Sequence, residues 1–413
     1  MKKRTLYIIL IICLTISITL ITTIIIPQYR KYHLLKVNAE KIANATIIVE
    51  LKEDLTAPFL GDVKVSDFIT NINGKVIKDY SIDTSKIGEQ EVNFEYINDE
   101  NITIPYTYKI NVKDETSPAI WLGNSYSITT NYDGSLLEDI VCADNYDDNP
   151  DCEIIGKYDV NKVGEYPLTF KATDASGNTT TKEFTLKVKE PITENNSSSS
   201  SSPKTYTYFS DVVKEYKNSH TKIGIDVSSW QGDIDFKALK AAGVEFAFIR
   251  VGSTKGINGE YFIDKKFLQN IEGFNAVDIP VGIYFYSYAN SKEAAISDAE
   301  WVLKQIKGYE IDLPIAYDWE SWSFYNEFHQ SFYSTTMNAK AFLDTISNAG
   351  YQGALYSSKN YLEKVWFDTG YDVWLAHYTS KTSYTGDYKY WQMCSNGRVD
   401  GINGNVDINI MYQ

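Results

Sequence analysis

The sequence predicts a modular chain. Its C-terminal part reads as an α/β barrel of irregular (β/α)5(β)3 type, preceded by two small all-β sandwiches and one N-terminal transmembrane helix. Three observations predict this. The first thirty residues hold a long uncharged apolar run. Residues 46–190 alternate apolar and polar side chains over short stretches and repeat themselves. From Lys222 onward, short apolar runs alternate with segments of helical period.

The chain has 413 residues, too many for one ordinary core, and a formal net charge of −15. The acidic balance argues against a nucleic-acid partner, because phosphates demand clustered Lys and Arg. With four His and no GxSxG stretch, a His-based nucleophile triad has few candidates. No Cys/His spacing suggests zinc.

The N-terminal element comes first. "MKKR" precedes an uncharged run from Leu6 to Ile26, which as a helix would span roughly 31 Å, about one hydrocarbon core. No small-residue cleavage site follows, only Pro27 and "QYRKY". The reading is an uncleaved anchor: residues 1–27 as cytoplasmic tip and transmembrane helix, 28–45 as a juxtamembrane segment, and a single-pass location in the cell membrane. Basic residues lie on both sides of the span, so charge alone does not orient it. The remainder of the chain reads as exported.

The all-β elements follow. "DTSKIGEQEVNF" begins at Asp83 and "DVNKVGEYPLTF" at Asp159, and the correspondence persists to Val112 and Val188. Two copies of about 75 residues, each with short strands, fit two tandem sandwiches, with boundaries at 46–114 and 115–190. At "DETSPAIWLGN" and "ATDASGNTTTKEFTLKV" the segment resembles the Ig-like modules of bacterial surface proteins. That resemblance implies a stalk or a binding surface. Cys142 and Cys152 bracket "CADNYDDNPDC" and are either a disulfide of an exported domain or two reduced thiols. The acidic loop between them reads as solvated or as a calcium loop. Next, "PITENNSSSSSSPK" (191–204) cannot build a core and reads as a hinge, followed by a lead-in at 205–221.

The barrel occupies 222–413. Its strand candidates are "IGIDVS", "FAFIRV", "VGIYFYSY", "PIAYDWE", "GALYSS", "VWLAHY", "YWQMC" and "VDINIM". Helix-length segments separate the first five, as at 291–307, where Ala295, Ala299, Val302 and Ile306 recur before Gly308. Short turns are expected to join the last three. In such barrels chemistry collects at the carboxyl ends of the strands. Asp226 ends the first strand, and Asp318 and Glu320 end the fourth. Positions i and i+2 of a strand share a face, with Cα atoms about 6.6 Å apart. Both acids of "AYDWE" can therefore enter one cleft while Trp319 points away. Two close carboxyls raise the proton affinity of one of them. Glycoside hydrolysis uses such a pair, but acids capping a barrel rim would give the same spacing.

Five stretches in order, "GIDVSSWQG", "IAYDWE", "WLAHY", "YWQ" and "GNVDIN", resemble glycoside hydrolase family 25, the Chalaropsis-type lysozymes. The resemblance covers essentially all of 222–413. It implies an N-acetylmuramidase that cleaves the β-1,4 bond between N-acetylmuramic acid and N-acetylglucosamine in peptidoglycan. By matching motif, Glu320 would be the general acid, with Asp318, Asp226 and Asp407 as the other active-site carboxylates. Asp318 would orient the substrate's own N-acetyl group, so no protein nucleophile is assigned. No metal or other cofactor is expected. Aromatic rings pack on sugar faces. Tyr284, Tyr286, Trp374, Tyr378 and Trp391, with Gln392, are the expected substrate-binding residues.

Together these readings describe a membrane-held enzyme that acts on peptidoglycan glycan strands, for wall remodelling or local wall opening, with no nucleic-acid partner. Two rival classes stay open: a catalytically silent wall-binding module and a surface adhesin. A chitinase-like activity is a narrower rival within the enzyme class.

Overall fold

The computed structural model describes residues 21–191 and 205–413. The chain divides into two compact units, Met1–Glu115 and Thr116–Gln413.

The first unit opens with a π turn, Ile21–Ile25, running into a helix, Ile26–Ala43. That helix carries Arg30, Lys31, Lys36, Glu40 and Lys41 and buries no residue. Among the described residues no helix is long and apolar enough to cross a membrane. The expected single-pass membrane location is corrected accordingly and is not carried forward. Of the apolar run behind that expectation, residues 6–20 lie outside the described residues.

The β-module that follows has six strands. Thr56–Pro58, Thr103–Lys113, Gly88–Asn98 and Gly74–Val76 form a four-stranded sheet, and Val49–Leu51 pairs with Ile69–Ile72 in a separate ribbon. A long hairpin, 88–98 with 103–113, forms its centre, because Val92, Phe94, Tyr96, Tyr108 and Ile110 alternate onto one buried face. The second unit begins with a module of the same plan. Asp151–Ile155, Gly164–Thr173, Thr179–Lys189 and Ser125–Thr129 make the sheet, and Ala119–Trp121 pairs with Val141–Ala143. In both modules the short edge strand runs parallel to the last strand of the hairpin. These are half-open four-stranded sheets with a two-stranded flap. The Ig-like sandwiches expected from the sequence need about seven strands in two facing sheets, and that expectation is corrected. Alternation marks a strand but does not count how many pair into each sheet.

The rest of the second unit is a closed eight-stranded barrel. Its strands are β1 (Thr221–Val227), β2 (Ala247–Thr254), β3 (Val281–Tyr286), β4 (Ile315–Asp318), β5 (Gly353–Ser358), β6 (Asp372–Ala376), β7 (Tyr390–Arg398) and β8 (Val406–Tyr412). Neighbours pair in that order, and β8 closes the ring onto β1. The expected (β/α)5(β)3 description is corrected here. Seven strands, β1 to β7, run parallel, and β8 alone reverses. The β6–β7 connection (377–389) is a helix-free crossover, not a short turn. It lacks helical period, so its sequence reads as a turn, yet a dozen residues suffice to return a parallel strand. The structure also adds a strand, Tyr261–Ile263, hairpinned onto β2.

Outer helices cover the barrel: α1 (Phe236–Ala241), α2 (Phe267–Asn275), α3 (Lys292–Gln305), α4 (Phe332–Asn348) and α5 (Lys359–Lys364). Ser291 caps α3 and Ser331 caps α4, each through its side-chain oxygen. Strand alternation sorts the side chains into two cores. Ile223, Ile225, Ile249, Ile283, Ile315 and Leu375 face the helices, whereas Phe246, Phe248, Trp374, Tyr390 and Met411 fill the barrel. Space for these inner rings comes from Gly224 and Gly282. A Cβ on Gly224 would lie 2.4 Å from the Phe246 carbonyl oxygen, and one on Gly282 would lie 2.5 Å from the Phe248 ring.

Candidate active site

The inner rings fill the barrel from below, and the inward positions at the carboxyl ends of the strands are acidic. Asp226 lies near the end of β1 and Asp318 at the end of β4. Glu320 follows two residues on, and Asp407 on β8 is the cross-strand partner of Asp226. The structure thus brings together all four acids singled out in the sequence. Trp319, between two of them, is fully buried on the other side against Trp322, Tyr325 and Phe328.

Asp226 is held by amides. Its Oδ2 accepts hydrogen bonds from Gln392 Nε2 at 2.9 Å and Asn409 Nδ2 at 2.7 Å. Each amide is fixed in turn: Trp374 Nε1 donates to Asn409 Oδ1 at 2.8 Å, and Tyr356 and Tyr378 donate to Gln392 Oε1 at 2.9 and 3.1 Å. Those bonds settle which end of each amide faces the acid. Asp318 is less satisfied. It is 4% exposed, and its Oδ1 is buried without a hydrogen-bond partner.

Burial dominates the electrostatics. Desolvation, then the charges of Glu320 and Asp226, drives the Asp318 carboxyl well above the ordinary range, against the opposing pull of Arg250. Asp407 is pushed up to about 9, first by burial and then by the charge of Asp226. Burial also raises Asp226, although the Gln392 and Asn409 hydrogen bonds favour its charged form. Glu320 keeps an exposed face toward solvent, yet the surrounding protein still raises it by desolvation, opposed by a Tyr356 hydrogen bond and assisted by the Asp226 charge. Four acids this close titrate as one coupled set, and a proton belongs to the cluster as much as to any one carboxyl. Arg250, the cation that opposes the rise of Asp318, is committed elsewhere. Its Nε and Nη2 donate to Asp264 Oδ2 at 2.8 and 2.6 Å.

The expected sugar-binding residues divide. Tyr284 and Tyr286 sit half-buried on the inner face of β3, with Tyr284 edge-on to Trp374 at 6.0 Å. Tyr378 is 57% exposed at the rim. Trp374 is 1% exposed and stacks on Phe248 at 4.2 Å, so it is the floor of the site and not a platform. Gln392 is buried and holds Asp226. Trp391 is a correction. It points outward into the helix-facing core, edge-on to Tyr216 at 6.0 Å, and donates to the His377 carbonyl. Since Gln392 faces in, its neighbour must face out.

Sequence reasoning missed Tyr356, Asn409, Arg250 and Asp264. Signals existed for two of them. Asn409 stands two residues after Asp407, as Glu320 does after Asp318, and Arg250 interrupts the inward apolar positions of "FAFIRV". A cleft of about 500 Å³ opens beside these groups, lined by Glu320, Trp322, Tyr356, Tyr361, His377 and Tyr378.

A closed barrel with a desolvated acid cluster at the carboxyl ends of its strands defines a candidate glycosidase. Residues 225–402 match the family described as Glycosyl hydrolases family 25. An autolytic lysozyme of Clostridium acetobutylicum is 30% identical over 188 residues, covering 45% of this chain and 54% of that protein. Lysozyme M1 of Streptomyces globisporus is 27% identical over 215 residues, covering 45% and 66%. The chain thus spans between about half and two thirds of the length of these relatives. Among solved structures, a family 25 glycosyl hydrolase from Bacillus anthracis is similar at 22% identity and a TM-score of 0.42, over 52% of this chain and 95% of that one. The autolysin LytC from Streptococcus pneumoniae, solved with a synthetic peptidoglycan ligand, is similar at 25% identity and a TM-score of 0.42, over 59% and 56%.

Proposed function

We propose that this chain is a peptidoglycan hydrolase of lysozyme type. It cleaves the β-1,4 bond between N-acetylmuramic acid and N-acetylglucosamine and serves to remodel or locally open the cell wall. The observation that carries the reading is the Asp318–Glu320 pair: one carboxyl desolvated and partly unpaired, the other beside it on the cleft wall. Glu320, with its proton affinity raised, donates its proton to the glycosidic oxygen as the bond to the anomeric carbon breaks. Positive charge then develops on the sugar ring. Asp318, buried beside Glu320 with its Oδ1 open as an acceptor, takes a hydrogen bond from the N-acetyl N–H and aligns the acetamido oxygen with the anomeric carbon, where that charge is met. The charge of Asp226 adds to burial in raising the proton affinity of Glu320. Tyr284, Tyr286 and Tyr378 supply ring surface to the sugars. The division into modules at 46–114 and 115–190, with the enzyme from 222 onward, belongs to this proposal.

The test uses the full chain with Glu320→Gln beside it. Purified peptidoglycan is digested, the new reducing ends are reduced with borohydride, and the products are identified by mass spectrometry. Reduced N-acetylmuramic acid from the wild type alone supports the reading, with a fall in kcat of about 10²–10⁴-fold in the variant. Reduced N-acetylglucosamine changes the bond assigned. Wall binding without products from either protein points to a silent binding module.

A further inference from the structure

The second β-module reaches the cleft from behind. Its ribbon, Ala119–Trp121 with Val141–Ala143, joins the same apolar core as the helix-facing side of the barrel. Trp121 lies at the contact. Its ring is 5.8 Å from Trp322 and 5.3 Å from Tyr361, and it stacks on Phe332 at 6.0 Å. Trp322 and Tyr361 stack on each other at 3.8 Å, and both line the cleft with Glu320. The Trp322 N–H donates to the Glu320 carbonyl at 2.8 Å. One module side chain therefore stands a single layer behind the wall that carries the acid.

Polar contacts converge on the same segment. Asn326 Nδ2 lies 2.9 Å from both the Glu138 and Ile140 carbonyls, and Asn326 Oδ1 accepts from the Cys142 N–H at 3.1 Å. Further on, three backbone donors at the start of α4 end on the module. Ser331 N–H donates to Asp148 Oδ1 at 2.6 Å, Phe332 N–H to the Asp144 carbonyl at 2.8 Å, and Tyr333 N–H to the Asn145 carbonyl at 3.0 Å. The first N–H groups of a helix have no partner within it and must find one elsewhere. Here the partners come from the loop that the Cys142–Cys152 disulfide closes. A module that served only as a spacer would have no need to satisfy one loop of the barrel so fully.

We infer that the second module is a positioning element for catalysis: through Trp121 and Asn326 it holds residues 321–333, and with them the orientation of Glu320 in the cleft. This rests on the reading of Glu320 as the general acid. Trp121 and Asn326 touch no substrate and act through Trp322 and the backbone.

The experiment compares the full chain with Trp121→Ala, Asn326→Ala and Trp121→Phe. Hydrogen exchange is read across 320–333 and across β1–β8, and kcat and KM are measured on soluble glycan fragments. The alanine variants should speed exchange at 320–333 by about tenfold or more, with the barrel strands unchanged. Their kcat should fall by about tenfold and KM by less than about twofold, since a displaced catalytic group lowers rate more than binding. Trp121→Phe keeps a ring against Trp322 and should recover most of the rate. Faster exchange with unchanged kcat overturns the inference, as does unchanged exchange. If Trp121→Ala also loosens the barrel strands, Asn326→Ala decides. An inactive wild type sinks the muramidase reading itself, whereas an active wild type with indifferent variants sinks only the positioning role.

Discussion

Asp407 stands directly across the antiparallel β1–β8 ladder from Asp226, and burial first, then the charge of that cross-strand partner, raises Asp407 to about 9. The ordinary value of Asp407 is 3.8, so between roughly pH 4 and pH 9 the folded chain holds a proton that the unfolded chain has released. This contribution to stability is fully present below the unfolded value and is lost as pH rises through the folded one. Wild-type melting temperature should therefore fall from pH 5 to pH 8. Asp407→Asn removes the titration, and the fall should shrink by about 2–4 °C for each kcal/mol relieved. Thermal melts of both proteins at the two pH values check this, and an equal fall in both would refute it.

The charge of Asp226 is among the causes that raise Glu320. If Glu320 acts as the acid, the alkaline limb of kcat/KM reports loss of its proton. Asp226→Asn takes away a neighbouring negative charge, so Glu320 releases its proton more readily. The alkaline limb should move to lower pH. A pH–rate profile that only drops in height, with its limb in place, would show that Asp226 acts by holding structure through Gln392 and Asn409.

Tyr378 and Trp391 separate rim from core. Tyr378→Ala removes an exposed ring and should raise KM several-fold with little change in melting temperature. Trp391→Ala removes a side chain that is 2% exposed, and such truncations cost about 3–5 kcal/mol. Its KM should stay close to that of the wild type while urea unfolding moves to lower concentration. Reversed outcomes would put Trp391 back in the cleft.

Three of the acids were legible from local information, and Asp407 entered only through the family 25 resemblance at "GNVDIN". Strand period puts Asp318 and Glu320 on one side and Trp319 on the other, and Asp226 ends a clear strand motif. Tyr356 and Asp264 were not legible, because they meet the site only through strand register and a loop contact, whereas Asn409 and Arg250 each left a local signal. Trp391 was misplaced despite a local signal, since facing Gln392 inward turns Trp391 outward. The strand "YWQMC" was legible, but its parallel direction was hidden by a crossover without helical period. The docking of the second module depends on Trp121 and Asn326, two residues that look ordinary in sequence and meet only once both folds are formed.

Glycine beneath the acids gives a last prediction. At Gly224, two residues before Asp226, an added Cβ would lie 2.4 Å from the Phe246 carbonyl oxygen, a backbone atom. At Gly282 the shortest contact is instead the Phe248 ring, at 2.5 Å. Overpacking of this kind costs about 1–3 kcal/mol, so both Gly224→Ala and Gly282→Ala should lower stability in urea unfolding. They should differ in rescue. Phe248→Leu removes the ring atoms that meet the new methyl and should restore part of what Gly282→Ala loses. Phe246→Leu removes ring atoms that would lie 2.6 Å from the new methyl but leaves the closer carbonyl in place, so it should restore less in Gly224→Ala. A strand forced away at Gly224 also carries Asp226 with it, so Gly224→Ala should lose kcat as well. Equal rescue in both pairs would mean that β1 shifts freely, and that the acid site does not depend on its close approach to β2.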